Sequence, residues 1–213
     1  MPGFSSSANA PVDEPIAAAA RTLASGGLVV FPTETLYALG VDAGNLRALE
    51  RLATAKERAV GKPIAVLVSD RTMLAELVSD VRPLAEELMQ RFWPGPLTIV
   101  FHARPTVSPI LTGGQGGIGV RVSSHPMATA LVRALGRPVT APSANPAALP
   151  PALTAEAARA YFGDTVDCYL DGGRVAGEPA STVVDIRRGL RIVREGAIRA
   201  ADLAVKHAGI AAW

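Results

Sequence analysis

An open, twisted α/β sheet of mixed parallel and antiparallel strands, flanked by helices, is the fold class this sequence predicts. Two patterns point to it. Short continuous apolar runs alternate with stretches of helical periodicity, as in a sheet covered on both faces. The later strands follow one another too closely to leave a helix between every pair, so some pairings are expected to be antiparallel. A chain of 213 residues, 49% of them hydrophobic, has the length and apolar content for one such domain.

The elements follow in order. Residues 1–12 read as a flexible tail of small residues, and 13–213 as a single domain. Pro15 suits the first turn of a helix over 14–25, ended by Gly26-Gly27. Leu28 to Phe31 is an apolar strand, and Pro32 opens the loop Thr33-Glu34-Thr35. Asn45 is placed to cap a helix carrying Leu46, Leu49 and Ala53. Ile64 to Val68 is the next strand, followed by helices over 70–78 and 83–92, which Trp93-Pro94-Gly95-Pro96 ends. Leu97 to Phe101 and Ile118 to Val122 are strands. Pro126 begins a helix with Met127, Ala130, Leu131 and Ala134 on one side, closed by Gly136. Val139 to Ala141 is a short strand, 154–162 a helix, and 167–170, 181–186 and 190–194 strands. A last helix is expected from about 199.

Composition sets limits. A formal net charge of +2 does not call for nucleic acid, so any basic site must be local. Cys168 is the single cysteine, which rules out an intrachain disulfide and a cysteine-cluster metal site and suits the cytoplasm. The N-terminus lacks the basic-then-apolar order of a signal peptide, and no apolar stretch is long enough to span a membrane.

The polar residues of interest sit where apolar strands give way to loops, the usual place for ligands in α/β sheets. One group is Thr33 and Thr35, another Ser143 and Asn145; each is suited to a polar ligand or to making turns. A third is Lys56-x-Arg58-x-x-x-Lys62, three cations just before a strand. If extended, this segment points Lys56 and Arg58 the same way, toward an anion such as a triphosphate. The competing reading is a solvated helix end. Arg121 lies in an apolar strand and needs a partner, either a carboxylate ligand or an internal aspartate. Arg194, beside Glu195, could equally form a surface ion pair. Gly114-x-Gly116-x-x-Gly119 matches a dinucleotide fingerprint but precedes a strand instead of opening a helix, so it is set aside.

Seven segments, in this order, resemble the YrdC family of threonylcarbamoyl-AMP synthases. They are Pro32-Thr33-Glu34-Thr35-Leu36-Tyr37-Ala38-Leu39-Gly40, Lys56-Glu57-Arg58, Phe92-Trp93-Pro94-Gly95-Pro96-Leu97-Thr98, Val120-Arg121-Val122, Ala141-Pro142-Ser143-Ala144-Asn145, Ser181-Thr182-Val183-Val184-Asp185 and Val193-Arg194-Glu195-Gly196-Ala197-Ile198. The resemblance is to the short, single-domain type. It implies a YrdC-like fold and a nucleotidyltransferase that joins L-threonine, bicarbonate and ATP, with Mg²⁺ carried by the ATP. On it, Lys56, Arg58, Lys62, Ser143, Asn145 and Arg194 would bind ATP, with Lys56 and Arg58 catalytic. Thr33, Thr35, Arg121 and Ser181 would hold threonine. The product would pass to tRNA-modification proteins that act beside the anticodon of tRNA. Leu67 stands where the family often has histidine, Lys62 where it has asparagine, and Gly117 where many members have threonine. Two other functions remain open at this stage, a nucleic-acid-binding module of the same fold and a carbamoyl-adenylate transferase.

Overall fold

The structure is a computed structural model that describes residues 13–57, 59, 61–177 and 179–203. The expected tail at 1–12, Arg58, and all but the start of the expected last helix lie outside the described residues. That start is a short 3-10 turn, Ala200–Leu203.

Nine strands and seven α-helices are formed by the described residues. The strands are β1 Val29–Pro32, β2 Tyr37–Gly40, β3 Val66–Leu67, β4 Leu97–His102, β5 Gly117–Arg121, β6 Val139–Thr140, β7 Cys168–Tyr169, β8 Thr182–Asp185 and β9 Arg191–Arg194. The helices are α1 Glu14–Ala24, α2 Leu46–Ala55, α3 Arg71–Leu77, α4 Pro83–Phe92, α5 Pro109–Thr112, α6 Pro126–Leu135 and α7 Ala155–Phe162.

The strands make two ladders. One has three strands in the order β2-β1-β7, the other six in the order β6-β3-β5-β4-β8-β9. Isolated bridges Ala38↔Ser143 and Asp42↔Val139 stitch β2 to the β6 side of the larger sheet. Pairings are mixed as expected: β3–β5, β4–β8 and β1–β7 are parallel, the others antiparallel. Strand β2 was not expected from the sequence. It pairs back on β1 with Pro32 opposite Tyr37, so the Thr33-Glu34-Thr35 loop is the tip of a hairpin.

Local chemistry explains the helices. In α1, Ile16, Ala19, Ala20 and Leu23 recur at helical spacing and are buried, and α1 packs on α6. The Asn45 side chain accepts from the Ala48 N–H at 3.1 Å and starts α2, as expected. The buried face of α2 differs from expectation. It is Ala48, Leu49 and Leu52, while Leu46 in the first turn is 55% exposed. The face of α6 also turns, to Ala128, Leu131 and Val132, and His125 caps its start with Nδ1 accepting from the Met127 N–H.

A fully buried hydroxyl fixes the last strand pair. Thr182 donates to the Ile198 carbonyl at 2.6 Å and accepts from the Gly196 and Ile198 N–H groups. Gly196 is required by this close approach, because a Cβ there would lie 2.1 Å from the Ala180 oxygen. The result is that β9 and Arg194 are held tightly against Ser181.

Candidate active site

Alternation along three adjacent strands divides the six-stranded sheet into a core face and a cleft face. On β5, Ile118 and Val120 are fully buried, while Gly117, Gly119 and Arg121 line a cleft. On β4, Leu97, Ile99 and Phe101 enter the core, and Thr98 and Val100 line the cleft. Along β8, Thr182 and Val184 are core, while Ser181, Val183 and Asp185 face the cleft. The cleft is about 550 Å³, within the usual range for small-molecule sites. Its walls come from the β1–β2 hairpin tip, the segment after β6, and β9.

Arg121 ends β5 at one end of this floor and is 7% exposed. Its internal partner is Glu34, not an aspartate, with Nη2 lying 2.8 Å from Glu34 Oε2. The Ser123 hydroxyl donates to the same oxygen. Burial pushes the Glu34 carboxyl up, but the Arg121 charge and the Ser123 hydroxyl outweigh it and hold it below its ordinary value of 4.5. A carboxyl lowered in the folded state stabilises the fold above its unfolded value and loses that contribution as pH falls through the folded one. Denaturant unfolding is therefore expected to show the wild type gaining over Glu34→Gln by a constant margin above pH 4.5, shrinking on further acidification. A margin that grew as pH fell would contradict this pairing.

Arg194 reaches back from β9. Its Nε and Nη2 donate to the Ser181 carbonyl at 3.2 and 2.8 Å, and Nη2 also reaches the Ser181 hydroxyl at 3.2 Å. It does not pair with the adjacent Glu195. Ser181 and Thr98 hydroxyls lie 3.1 Å apart. Burial lowers the Arg194 pKa from its ordinary value, and the neighbouring Arg121 charge lowers it further. Two guanidinium groups thus bear on the same cleft.

The hairpin tip places the two threonines. Thr33 Oγ1 donates to the Leu36 carbonyl at 2.7 Å and accepts from the Thr35 and Leu36 N–H groups. Its own proton is committed, so the 3.2 Å contact between the two hydroxyls is donated by Thr35. Thr33, Thr35, Arg121, Ser143, Ser181 and Arg194 all line the cleft.

Lys56 is placed differently. It caps α2 in a helical conformation and Glu57 follows with φ 49°, so the segment turns at this point instead of running extended. Lys56 is 5% exposed. Its ammonium donates to the Ser143 and Asn145 carbonyls, tying the end of α2 to the segment after β6. The Asn145 amide donates to Pro146 and Leu149 carbonyls, and its Oδ1 is buried without a hydrogen-bond partner. Neither Lys56, Lys62 nor Asn145 is among the residues lining the cleft, and Lys62 is exposed.

Sequence reasoning passed over three groups in or behind this cleft. Glu34 and Ser123 are the first. The clue was available, since an arginine in an apolar strand needs a carboxylate and Glu34 sits in a strand-end loop. The second is Thr98, inward-facing by its alternation with Leu97 and Ile99. The third is the far end, where Asp185 accepts from Arg187 Nε and Nη2 and pairs with Arg191. Gly117 leaves room for Arg187, whose guanidinium would lie 2.7 Å from a Cβ there. Leu67 is buried, lines the cleft, and sits opposite Arg121 in the β3–β5 register.

Among the described residues no three His, Cys, Asp or Glu side chains group as metal ligands, and no helix is long and apolar enough to cross a membrane.

Comparison with known proteins supplies the relatives. The Sua5/YciO/YrdC family model, described as telomere recombination, matches residues 21–196. The threonylcarbamoyl-AMP synthase of Pyrococcus abyssi is 36% identical over 168 residues, covering 79% of this chain and 49% of its own. That of Nitrosococcus oceani is 36% identical over 176 residues, covering 82% of this chain and 94% of its own. The crystal structure of P. abyssi Sua5 complexed with L-threonine matches with a TM-score of 0.82 at 36% identity, over 85% of this chain and 54% of that one. This chain spans about half the length of curated relatives such as the P. abyssi protein. With a family match that runs from within α1 to just past β9, and relatives 36% identical over most of its length, the chain belongs to the Sua5/YciO/YrdC family.

Proposed function

We propose that this chain is an L-threonylcarbamoyladenylate synthase, making threonylcarbamoyl-AMP and pyrophosphate from L-threonine, bicarbonate and ATP. The observation that carries the reading is the charge of the cleft: Arg121, Arg187, Arg191 and Arg194 line it against a single carboxylate, Asp185. Such a site suits two anions held side by side. No cysteine, histidine or lysine is among the described lining residues, so the reaction proposed for it is one of positioning. Bicarbonate takes up a proton and loses water to give CO₂; the threonine nitrogen bonds to its carbon and loses a proton, giving a carbamate. A carbamate oxygen then bonds to the α-phosphorus as the bond to pyrophosphate breaks.

In this reading Arg121 takes the threonine carboxylate, and Thr33, Thr35 and Ser181 take its polar groups. Ser143 and Arg194 meet ATP, with Lys56, Lys62 and Asn145 shaping or neighbouring that side. Arg58 joins them as a catalytic cation on the strength of the sequence alone. Mg²⁺ enters on the ATP phosphates, since the carboxylate that lines the cleft, Asp185, is already held by Arg187, and Glu34, behind the wall, by Arg121. The names of the relatives support the substrates, as does the P. abyssi structure holding L-threonine. The product is proposed to feed a tRNA-modifying partner in the cytoplasm.

The test is pyrophosphate release from ATP, scanned over amino acids with and without bicarbonate. Release is expected only with threonine and bicarbonate together. Release independent of amino acid, or ATP binding with no release, would contradict the reading.

A further inference from the structure

We propose that Glu34 is a positioning residue, holding the Arg121 guanidinium so that one edge of it faces the cleft and thereby setting the affinity for an amino-acid carboxylate. The inference rests on the reading of the cleft as a threonine site.

The geometry separates the two partners of the ion pair. Arg121 lines the cleft, whereas Glu34 is absent from its wall. Glu34 approaches from the hairpin tip and touches Nη2 through Oε2. It is itself tethered. Ser123 donates to that oxygen, the His125 N–H donates to Ser123 Oγ at 3.2 Å, and the Thr129 hydroxyl donates to the Ser123 carbonyl at 2.9 Å. A line of bonds therefore runs from the first turn of α6 through Ser123 and Glu34 to Arg121.

Arg121 Nε and Nη2 are buried from solvent, and so is Glu34 Oε1. Nη2 lies 2.8 Å from Glu34 Oε2, so this edge of the guanidinium, the one a carboxylate can span, is turned to Glu34. Arg121 still lines the cleft, which leaves the rest of its guanidinium as the part a substrate carboxylate can meet. Glu34 also answers a local problem. Arg194 and Arg121 bear on the same space, and a neighbouring carboxylate keeps Arg121 in place against that repulsion.

The alternative occupant of the same geometry is competition, in which Glu34 holds Arg121 away from substrate. The tether at Ser123 and the position of Glu34 outside the wall favour support over competition.

The experiment measures L-threonine and ATP affinity separately by calorimetry on the full chain, together with steady-state pyrophosphate release. For Glu34→Gln, which keeps the shape and removes the charge, threonine Kd and KM are expected to rise by about tenfold or more, with kcat within about twofold and ATP affinity unchanged. Ser123→Ala is expected to move threonine Kd the same way by a smaller factor, and Glu34→Asp to restore part of the loss. Unchanged threonine affinity in folded Glu34→Gln would overturn the inference while leaving the synthase reading intact. Tighter threonine binding would overturn it in favour of competition. If Glu34→Gln does not fold, unchanged threonine affinity in Ser123→Ala overturns it instead. Should the wild type bind ATP but no threonine, the synthase reading falls, and this inference with it.

Discussion

Arg121→Ala is expected to reduce kcat/KM for threonine by roughly 10²–10³-fold, the loss that follows removal of one partner from a buried, hydrogen-bonded charge pair at a binding site. The same change leaves Glu34 in a largely enclosed position without its cation. Its side chain keeps 17% exposure, so the cost to stability is expected near the lower end of the roughly 3–5 kcal/mol seen when buried pairs are broken. Activity and stability separate in the double variant. Arg121→Ala with Glu34→Gln removes the stranded charge, so it should recover much of the stability and none of the activity. Urea unfolding and threonine-dependent pyrophosphate release, measured on the same three proteins, test this. Recovery of activity in the double variant would show that Arg121 does not meet the substrate.

Lys56→Met is the second large effect. The substitution keeps an apolar stem of similar length and removes the ammonium that holds the Ser143 and Asn145 carbonyls. Hydrogen bonds to a charged group contribute about 1.5–3 kcal/mol each, and two that share one ammonium fall short of additive. The segment after β6 is expected to loosen, and kcat/KM for ATP to fall by about a hundredfold. On the proposed assignment, in which Arg121 takes the threonine carboxylate, threonine affinity should stay within about twofold of wild type. Calorimetry with each substrate separates the two. An equal loss for both substrates would mean that the whole cleft has collapsed, and ATP affinity at the wild-type level would remove Lys56 from the nucleotide side.

Much of this arrangement was legible in the sequence because sheet alternation has a strict period. Gly117, Gly119 and Arg121 fall on the face opposite Ile118 and Val120, and that face is the cleft. The strands at 29–32, 97–102, 117–121 and 182–185 occupy the apolar runs that suggested them. The resemblance to the family also named six of the cleft-lining residues by position.

What the sequence hid has physical causes. Strand β2 carries Tyr37-Ala38-Leu39-Gly40 with every position buried, so no alternation marks it, and its hairpin pairing with β1 begins at a proline. The Glu34–Arg121 pair joins residues from separate elements, and nothing local signals which carboxylate an arginine will find. The turn at Lys56 depends on Glu57 adopting a positive φ, a conformation rare for glutamate and so not readable from residue type. The α2 face is rotated from the expected one: Ala48, Leu49 and Leu52 turn to the core, which leaves Leu46 on the solvent side of the same first turn.

The most direct test of the central claim follows carbon from bicarbonate into the nucleotide product. The protein is incubated with ATP, Mg²⁺, L-threonine and ¹³C-bicarbonate, and the adenylates are read by mass spectrometry. The account predicts a threonine-containing adenylate that carries the heavy carbon and disappears when threonine or ATP is left out. An adenylate without the label, or no adenylate beyond AMP while the protein still binds ATP and threonine, would contradict it.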